Sequence, residues 1–186
     1  MELTDEDLKN QFDVNLLGVH RVTRRFFPLL LESKGRIIMI SSINGFLAVP
    51  FVGPYSSSKF ALEGYSDSLR REISGFGVNV IIIQPGFVQT KLFDKGIKSI
   101  KSLKNKLKGS IFEEKGLNFG TMLFNQGQHN GISAQKFGKS VLSILIKKKP
   151  KSRYIISENN FKYNFIKLFS TKMVDKQIKK EMNTSK

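Results

Sequence analysis

Two short runs dense in isoleucine and valine, Arg36-Ile-Ile-Met-Ile-Ser41 and Val78-Asn-Val-Ile-Ile-Ile83, constrain the fold of this chain more than any other feature. Each is too short for a helix and largely apolar rather than alternating, the pattern of strands buried on both faces of a parallel sheet. Between them lies a run of helical period from about Tyr55 to Ser74, with Leu62, Tyr65, Leu69 and Ile73 on one face. Gly75 and Gly77 end it. Strand, helix and strand over this span form a βαβ unit, which requires parallel strands and a right-handed crossover. Residues 43–54, with Gly45, Pro50, Gly53 and Pro54, are a loop that delivers the chain to the helix.

The flanks add further elements. Thr4-Asp-Glu-Asp7 is an N-cap with an acidic first turn. The helical period that follows, through Leu8, Phe12, Asn15/Leu16, Val19, Val22/Thr23, Phe26/Phe27 and Leu30, predicts one long helix to Leu31, broken by Gly35. Residues 91–132 are basic and glycine-dotted and are expected to be irregular. Ile132-Ser133 begin another helix, through about Ile146, and Lys147–Lys151 is a charged turn. Arg153-Tyr-Ile-Ile-Ser157 is a third short strand, and an amphipathic segment from Phe161 to about Met182 ends in a basic tail. No internal repeat is visible. The expected fold is α/β: one domain over residues 1–186, with a core at 1–90, a variable segment at 91–132 and a terminal helix, strand and tail at 133–186.

Composition excludes whole classes of chemistry. There is no cysteine, so disulfides, thiolate nucleophiles and cysteine-held metals are ruled out. His20 and His129 have no ligand-spaced partner, and no metal site is expected. No apolar run approaches the length of a membrane span, about 18 residues. The acidic start carries no signal-peptide apolar region, which makes a cytoplasmic location the simplest reading. The net charge of +16 lies wholly in the second half: residues 91–186 hold 22 Lys/Arg against six Asp/Glu. Lysine supplies all of those cations except Arg153. Specific phosphate or base readout favours arginine forks, so nucleic acid is not an expected partner.

Tyr55-Ser-Ser-Ser-Lys59 places a phenol and an ammonium one helical turn apart on one face. Taken alone, a tyrosine opening a helix and a lysine one turn on are ordinary surface residues. In this chain they follow a strand ending in Ser41-Ser42 and precede one closed by Pro85-Gly86. Reducing a carbonyl needs a hydride on carbon and a proton on oxygen. A free phenol, with a pKa of about 10, exchanges protons poorly near neutrality, and an adjacent cation favours its ionised form. Lys59 is placed to be that cation.

These motifs resemble the short-chain dehydrogenase/reductase family, and its retinol and hydroxysteroid dehydrogenase branch in particular. The matching pieces are Asp13-Val-Asn-Leu-Leu-Gly18, Ile40-Ser-Ser-Ile-Asn-Gly45, Tyr55-Ser-Ser-Ser-Lys-Phe-Ala-Leu-Glu-Gly64, Pro85-Gly-Phe-Val-Gln-Thr90 and Lys149-Pro-Lys-Ser-Arg-Tyr154. Ser42 lies 13 residues before Tyr55, and Asn15 lies 27 before Ser42, the spacings this family uses. The resemblance implies a partial Rossmann-type doubly wound parallel sheet, made of three C-terminal strands with flanking helices. It implies a catalytic set of Asn15, Ser42, Tyr55 and Lys59. Tyr55 would be the acid/base, Ser42 would hold the carbonyl oxygen, and Asn15 would hold a water in a relay from Lys59. Tyr55, Lys59, Pro85, Gly86, Val88 and Thr90 would bind the dinucleotide: Lys59 at the ribose, the Pro85-Gly86 turn beside the nicotinamide, Val88 and Thr90 at the carboxamide.

The family's glycine-rich phosphate turn and the residue that selects NAD or NADP precede the segment that Met1 begins, so either cofactor fits the resemblance. The chain alone is therefore expected to bind dinucleotide poorly and to be inactive or unstable, with the Arg36–Ser41 strand left at an open sheet edge. Completed, it is expected to form a homodimer through the helices near Thr4 and Tyr55, where Ala61, Gly64 and Ser68 suit close packing. The expected substrate is a hydrophobic alcohol or carbonyl compound under a lid at Leu92–Gly131. The alternative is an inactive fragment or half-enzyme. A second alternative is peripheral binding to an anionic membrane: Lys98, Lys101, Lys104, Lys106 and Lys108 flank an apolar stripe of Ile97, Ile100, Leu103 and Leu107, as in interfacial helices.

Overall fold

The computed structural model describes residues 3–90 and 96–184. The chain divides into two compact units, one made of Thr4–Pro85 and Gly138–Ile156, the other of Gly86–Phe137 and the residues from Ser157 onward.

The first unit is a three-stranded parallel sheet with helices. Its elements are α1 (Asp5–Phe12), a π-helical segment (Asp13–Gly18), α2 (Val19–Glu32), β1 (Arg36–Ile40), a 3₁₀ turn (Ile43–Gly45), α3 (Gly53–Glu72), β2 (Asn79–Pro85) and β5 (Arg153–Ile156). The strand order is β1-β2-β5. Arg36 to Ile40 pair with Asn79 to Ile83, and Ile82 to Pro85 pair with Arg153 to Ile156. This is the α/β architecture expected from the two isoleucine runs, with α3 as the crossover. One face of the sheet is sealed by the apolar stripes of α2 and α3. Ile37, Met39, Val80 and Ile82 meet Leu62 and Ile73, with Val19, Phe27, Leu30, Leu31, Tyr65 and Leu69 packed around them.

Three details depart from the sequence reading. The expected single helix from Thr4 to Leu31 starts with a reciprocal cap, Thr4 Oγ1 accepting from Asp7 N and Asp7 Oδ2 from Thr4 N, both at 3.1 Å. It then widens into the π-helical segment. Gly18 permits the wide turn, since a Cβ there would lie 3.2 Å from the Asp13 carbonyl oxygen. At the other end Lys34 (φ 46°), not Gly35, takes the left-handed conformation that closes α2. Lastly, β1 is not buried on both faces. Ile37 and Met39 are buried, but Ile40 is 44% exposed, because β1 pairs only with β2 among the described strands while β2 is enclosed from Val80 to Pro85.

The second unit contains β3 (Val88–Gln89), α4 (Gly96–Leu107), α5 (Glu113–Asn130), β4 (Ile132–Ser133), α7 (Asn160–Ile166) and α8 (Thr171–Thr184); α6 (Ala134–Leu145) runs across the division between the units. Two expectations are corrected here. Residues 91–132 are not irregular, since α4 and α5 occupy most of the described part. Gly120 is a packing position: a Cβ there would lie 2.6 Å from Leu103 Cδ2, so the missing methyl group lets α4 seat on α5. Leu103 and the buried Leu107 thus use the lysine-flanked stripe inside the protein. Ile132-Ser133 are not themselves helical: they pair in parallel with Val88-Gln89, burying Ile132, and the expected helix follows at once as α6, with Ser133 Oγ accepting from Lys136 N at 3.2 Å. Residues 91–95, the start of the expected lid, lie outside the described residues, as do the side chains of Ile97 and Lys98.

Candidate active site

The carboxyl ends of parallel strands are where open α/β sheets assemble ligand sites, because the chain leaves the sheet there and helix N-termini return. In the first unit that end carries Ser41-Ser42 after β1, Pro85 at the end of β2, and the opening turns of α3. Pro54 occupies the first turn of α3, where its missing N–H costs nothing. The helix starts at Gly53, two residues earlier than expected, so Tyr55 and Lys59 lie wholly within it.

Lys59 is 9% exposed. Its Nζ donates to the Ile40 carbonyl at 2.9 Å and lies 5.8 Å from the centroid of the Tyr55 ring. Ammonium and phenol are therefore neighbours, and the last carbonyl of β1 fixes the ammonium. Burial pushes the Lys59 pKa below the ordinary lysine value, and the Glu63 carboxylate one turn further along α3 pulls it partly back.

Asn15 sits in the π-helical segment, the wide turn that sequence periodicity misses and that recurs at functional sites. Its Nδ2 donates to Ser58 Oγ at 3.1 Å and to Gln11 Oε1 at 3.0 Å. Ser58 is fully buried and donates in turn to the Tyr55 carbonyl oxygen at 2.8 Å. Asn15 is thus joined to the first turn of α3 through Ser58, a residue the motif reading did not single out. Ser42, buried and extended, caps the 3₁₀ turn: its Oγ accepts from Asn44 N at 3.1 Å. That leaves the hydroxyl proton available for donation. The 3₁₀ turn packs against α3.

Pro85 is buried at the end of β2, paired with Ile156. Gly86, Val88 and Thr90 belong to the second unit. A Cβ on Gly86 would lie 2.7 Å from Ser157 Cβ, so a packing contact also requires this glycine. Val88 is half-buried in β3, and Thr90 is exposed just beyond it.

Sequence reasoning missed a buried polar cluster behind Lys59. Glu63 Oε1 accepts from Gln84 Nε2 at 3.0 Å, and its Oε2 accepts from Arg153 Nε at 2.9 Å. Arg153 Nη2 reaches Asp67 Oδ2 at 2.9 Å, and Arg70 holds Asp67 Oδ1 at 3.0 Å. The signals were a glutamine inside an isoleucine strand and the lone arginine of a lysine-rich half.

The short chain dehydrogenase family model matches residues 1–100, more than half of the chain. The chain belongs to the short-chain dehydrogenase family. Among curated relatives it is 30% identical over 183 residues to an NADPH-dependent 3-dehydrocapnine reductase of Ornithobacterium rhinotracheale, covering 95% of this chain and 63% of that protein. It is 45% identical over 93 residues to retinol dehydrogenase 16 of Homo sapiens, covering 50% of this chain and 29% of that one. A short-chain dehydrogenase structure from Streptomyces avermitilis superposes with a TM-score of 0.73 at 23% identity, covering all of this chain and 65% of that one, which shows the shared Rossmann-type fold. The chain therefore spans under two thirds of the length of these relatives. Among the described residues no helix is long and apolar enough to cross a membrane.

Proposed function

We propose that this chain carries the catalytic part of an NAD(P)-dependent oxidoreductase that interconverts an alcohol and a ketone or aldehyde. The observation that carries this reading is the Lys59 ammonium, buried against the Tyr55 phenol at the carboxyl end of a parallel sheet, with the Ser42 hydroxyl after the adjoining strand. This donor set fits a carbonyl oxygen and a nicotinamide ribose. A bound nicotinamide dinucleotide supplies, or in the reverse direction accepts, the hydride at the reacting carbon. In reduction Tyr55 gives its hydroxyl proton to the oxygen, so the carbonyl gains a hydride and a proton and becomes an alcohol. Lys59 stabilises the phenolate left behind. Ser42 donates a hydrogen bond to the same oxygen and holds it near the phenol. Asn15, anchored by Gln11 and Ser58, positions a water that returns a proton through Lys59 to Tyr55.

On this reading Lys59 also holds the nicotinamide ribose, the Pro85-Gly86 turn borders the nicotinamide, and the Val88 main chain and Thr90 hydroxyl hold its carboxamide. The cofactor is NAD or NADP; a relative matched over 95% of this chain is named for NADPH. The reductase and retinol dehydrogenase names of the relatives support an alcohol–carbonyl couple and a hydrophobic substrate. The protein works as a homodimer: Val14 and Leu17 in the π-helical segment, Val22, Phe26 and Leu29 on α2, and Phe60 on α3 present exposed apolar side chains for a second copy. Sedimentation as a monomer at micromolar concentration would contradict the dimer. Leu103 is seated over Gly120 of α5 and Leu107 is buried, which disfavours insertion of α4 into a membrane surface.

The test is hydride transfer by the chain joined to a relative's N-terminal dinucleotide-binding half, assayed with NADH and NADPH against retinal, a ketosteroid and a short ketone. Reduction of at least one carbonyl with deuterium passing from the labelled dinucleotide to the carbonyl carbon is expected. No transfer from either dinucleotide to any of them would refute the reading.

A further inference from the structure

The buried polar cluster behind Lys59 has no part in the proton path described above, and its chemistry is unusual for its place. Glu63 on α3 is 8% exposed, and Gln84, directly after three isoleucines in β2, is 1% exposed. Burying a carboxylate is costly unless it is paired and hydrogen-bonded. Here both oxygens are occupied, Oε1 by Gln84 and Oε2 by Arg153. Residues 91–186 contain one arginine among 22 basic residues, and that arginine stands at this point. A lysine would not substitute. Nε and Nη2 of the planar guanidinium reach two carboxylates on successive turns of α3, Glu63 and Asp67, each at 2.9 Å. The clamp ties β2 and β5 to the face of α3 one turn beyond Lys59. The 3₁₀ turn closes it from the fourth side: a Cβ on Gly45 would stand 3.0 Å from Glu63 Cγ.

We propose that Glu63, clamped by Arg153 and Gln84, is a positioning residue for Lys59, its fixed carboxylate keeping the enclosed lysine ammonium charged beside Tyr55. The proposal rests on the reading that Lys59 supports proton transfer by Tyr55. Around Lys59, α3 itself offers Tyr55, Glu63 and, two turns on, Asp67. β1 offers the Ile40 carbonyl, the π-helical segment the neutral Asn15, β2 the neutral Gln84, and β5 Arg153, whose charge is taken up by Glu63 and Asp67. Glu63 is the one among them whose negative charge is both one turn away and enclosed. Burial lowers the Lys59 pKa and Glu63 opposes that fall. Removing the carboxylate therefore increases the neutral fraction of Lys59 at any pH near its midpoint.

The experiment is an NMR titration of the full chain carrying ¹³Cε-lysine, with Lys59 assigned by Lys59→Arg. In Glu63→Gln, which keeps the shape and an acceptor for Arg153, the Lys59 midpoint is expected to move to lower pH. Asp67→Asn removes a carboxylate from the same arginine at greater distance. It is expected to lower Tm while leaving the Lys59 midpoint in place. An unchanged Lys59 midpoint in Glu63→Gln, with a Tm loss like that of Asp67→Asn, would show a purely structural clamp and overturn the proposal. If Glu63→Gln does not fold, Glu63→Asp, which draws the charge back by one methylene, is expected to move the midpoint part of the way, and no movement would overturn the proposal equally. The readout needs no turnover, so it stays informative even if Tyr55 proves dispensable for the reaction.

Discussion

Replacing Gly45 with alanine adds one methyl group at the place where the 3₁₀ turn meets α3. The new Cβ would stand 2.6 Å from Ser41 Oγ, 3.0 Å from Glu63 Cγ and 3.2 Å from Glu63 Oε1. The first clash is cheap to relieve, because Ser41 Oγ has no hydrogen-bond partner among the described residues. The other two are not. Gly45 N is held by the Ser42 carbonyl at 2.9 Å, so the turn resists moving away. Glu63 is held by Gln84 and Arg153, so it resists moving back. Overpacking a fixed site costs about 1–3 kcal/mol. Weakening a hydrogen bond to a charged group costs up to about 3 kcal/mol. The restricted unfolded chain of an alanine variant returns about 0.4–1 kcal/mol. The net expectation is a loss of about 2 kcal/mol. Gly138→Ala is the internal control: nothing lies within 4 Å of its would-be Cβ on α6, so the variant should gain about 0.5–1 kcal/mol from helix propensity alone. Urea unfolding of the two variants against wild type reads both signs. A Gly45→Ala variant as stable as wild type, or gaining like Gly138→Ala, would refute the tight seat between the 3₁₀ turn and Glu63.

Other expectations follow from single residues. Gly77 has φ 78°, so Gly77→Ala should cost about 1–2 kcal/mol by urea unfolding, and a neutral effect would contradict the left-handed turn after α3. Leu62 is 1% exposed at the centre of the α3–sheet core, so Leu62→Ala should cost about 2–5 kcal/mol, and a loss below about 1 kcal/mol would mean the core is not packed as described. For Asp67, burial pushes the carboxyl pKa up, but the Arg153 and Arg70 hydrogen bonds and charges together outweigh it and hold the pKa below the usual value. A depressed carboxyl stabilises the fold fully above its unfolded pKa, about 3.9, and loses that contribution as pH falls through the folded value. Asp67→Asn should therefore be less stable at neutral pH and lose stability less steeply below about pH 4. Parallel wild-type and variant curves of stability against pH would contradict the assignment.

The sheet was legible because its signals are local. The isoleucine runs at β1 and β2 are bounded by Gly35, Gly77 and Pro85, and Arg153–Ile156 is bounded by a lysine turn. Asn15, Ser42, Tyr55 and Lys59 were singled out by the resemblance of their motifs, in order and spacing, to those of a known family. The π-helical segment was not legible, because one wide turn hardly disturbs a 3.6-residue period and its reason is tertiary: Asn15 bonds Ser58, 43 residues away. Helix α5 was hidden by Gly116, Gly120 and Gly127, which look like breakers until Leu103 is seen filling the space over Gly120, whereas the apolar stripe of α4 already had a helical spacing. The clamp on Glu63 was illegible for a related reason. Sequence shows Arg153 as the odd cation in a lysine-rich half, but its partners lie on α3, some ninety residues earlier.

On the proposed reading Tyr55 exchanges the proton at the carbonyl oxygen with Lys59 beside it. The most direct measurement is the turnover number of Tyr55→Phe against the unsubstituted sequence, both joined to the same N-terminal dinucleotide-binding half, with dinucleotide affinity measured in parallel. Positioned acid/base groups contribute about 10²–10⁴-fold, so a loss of that size with dinucleotide affinity largely kept is expected. Turnover by Tyr55→Phe within a few-fold of the unsubstituted protein would contradict the account.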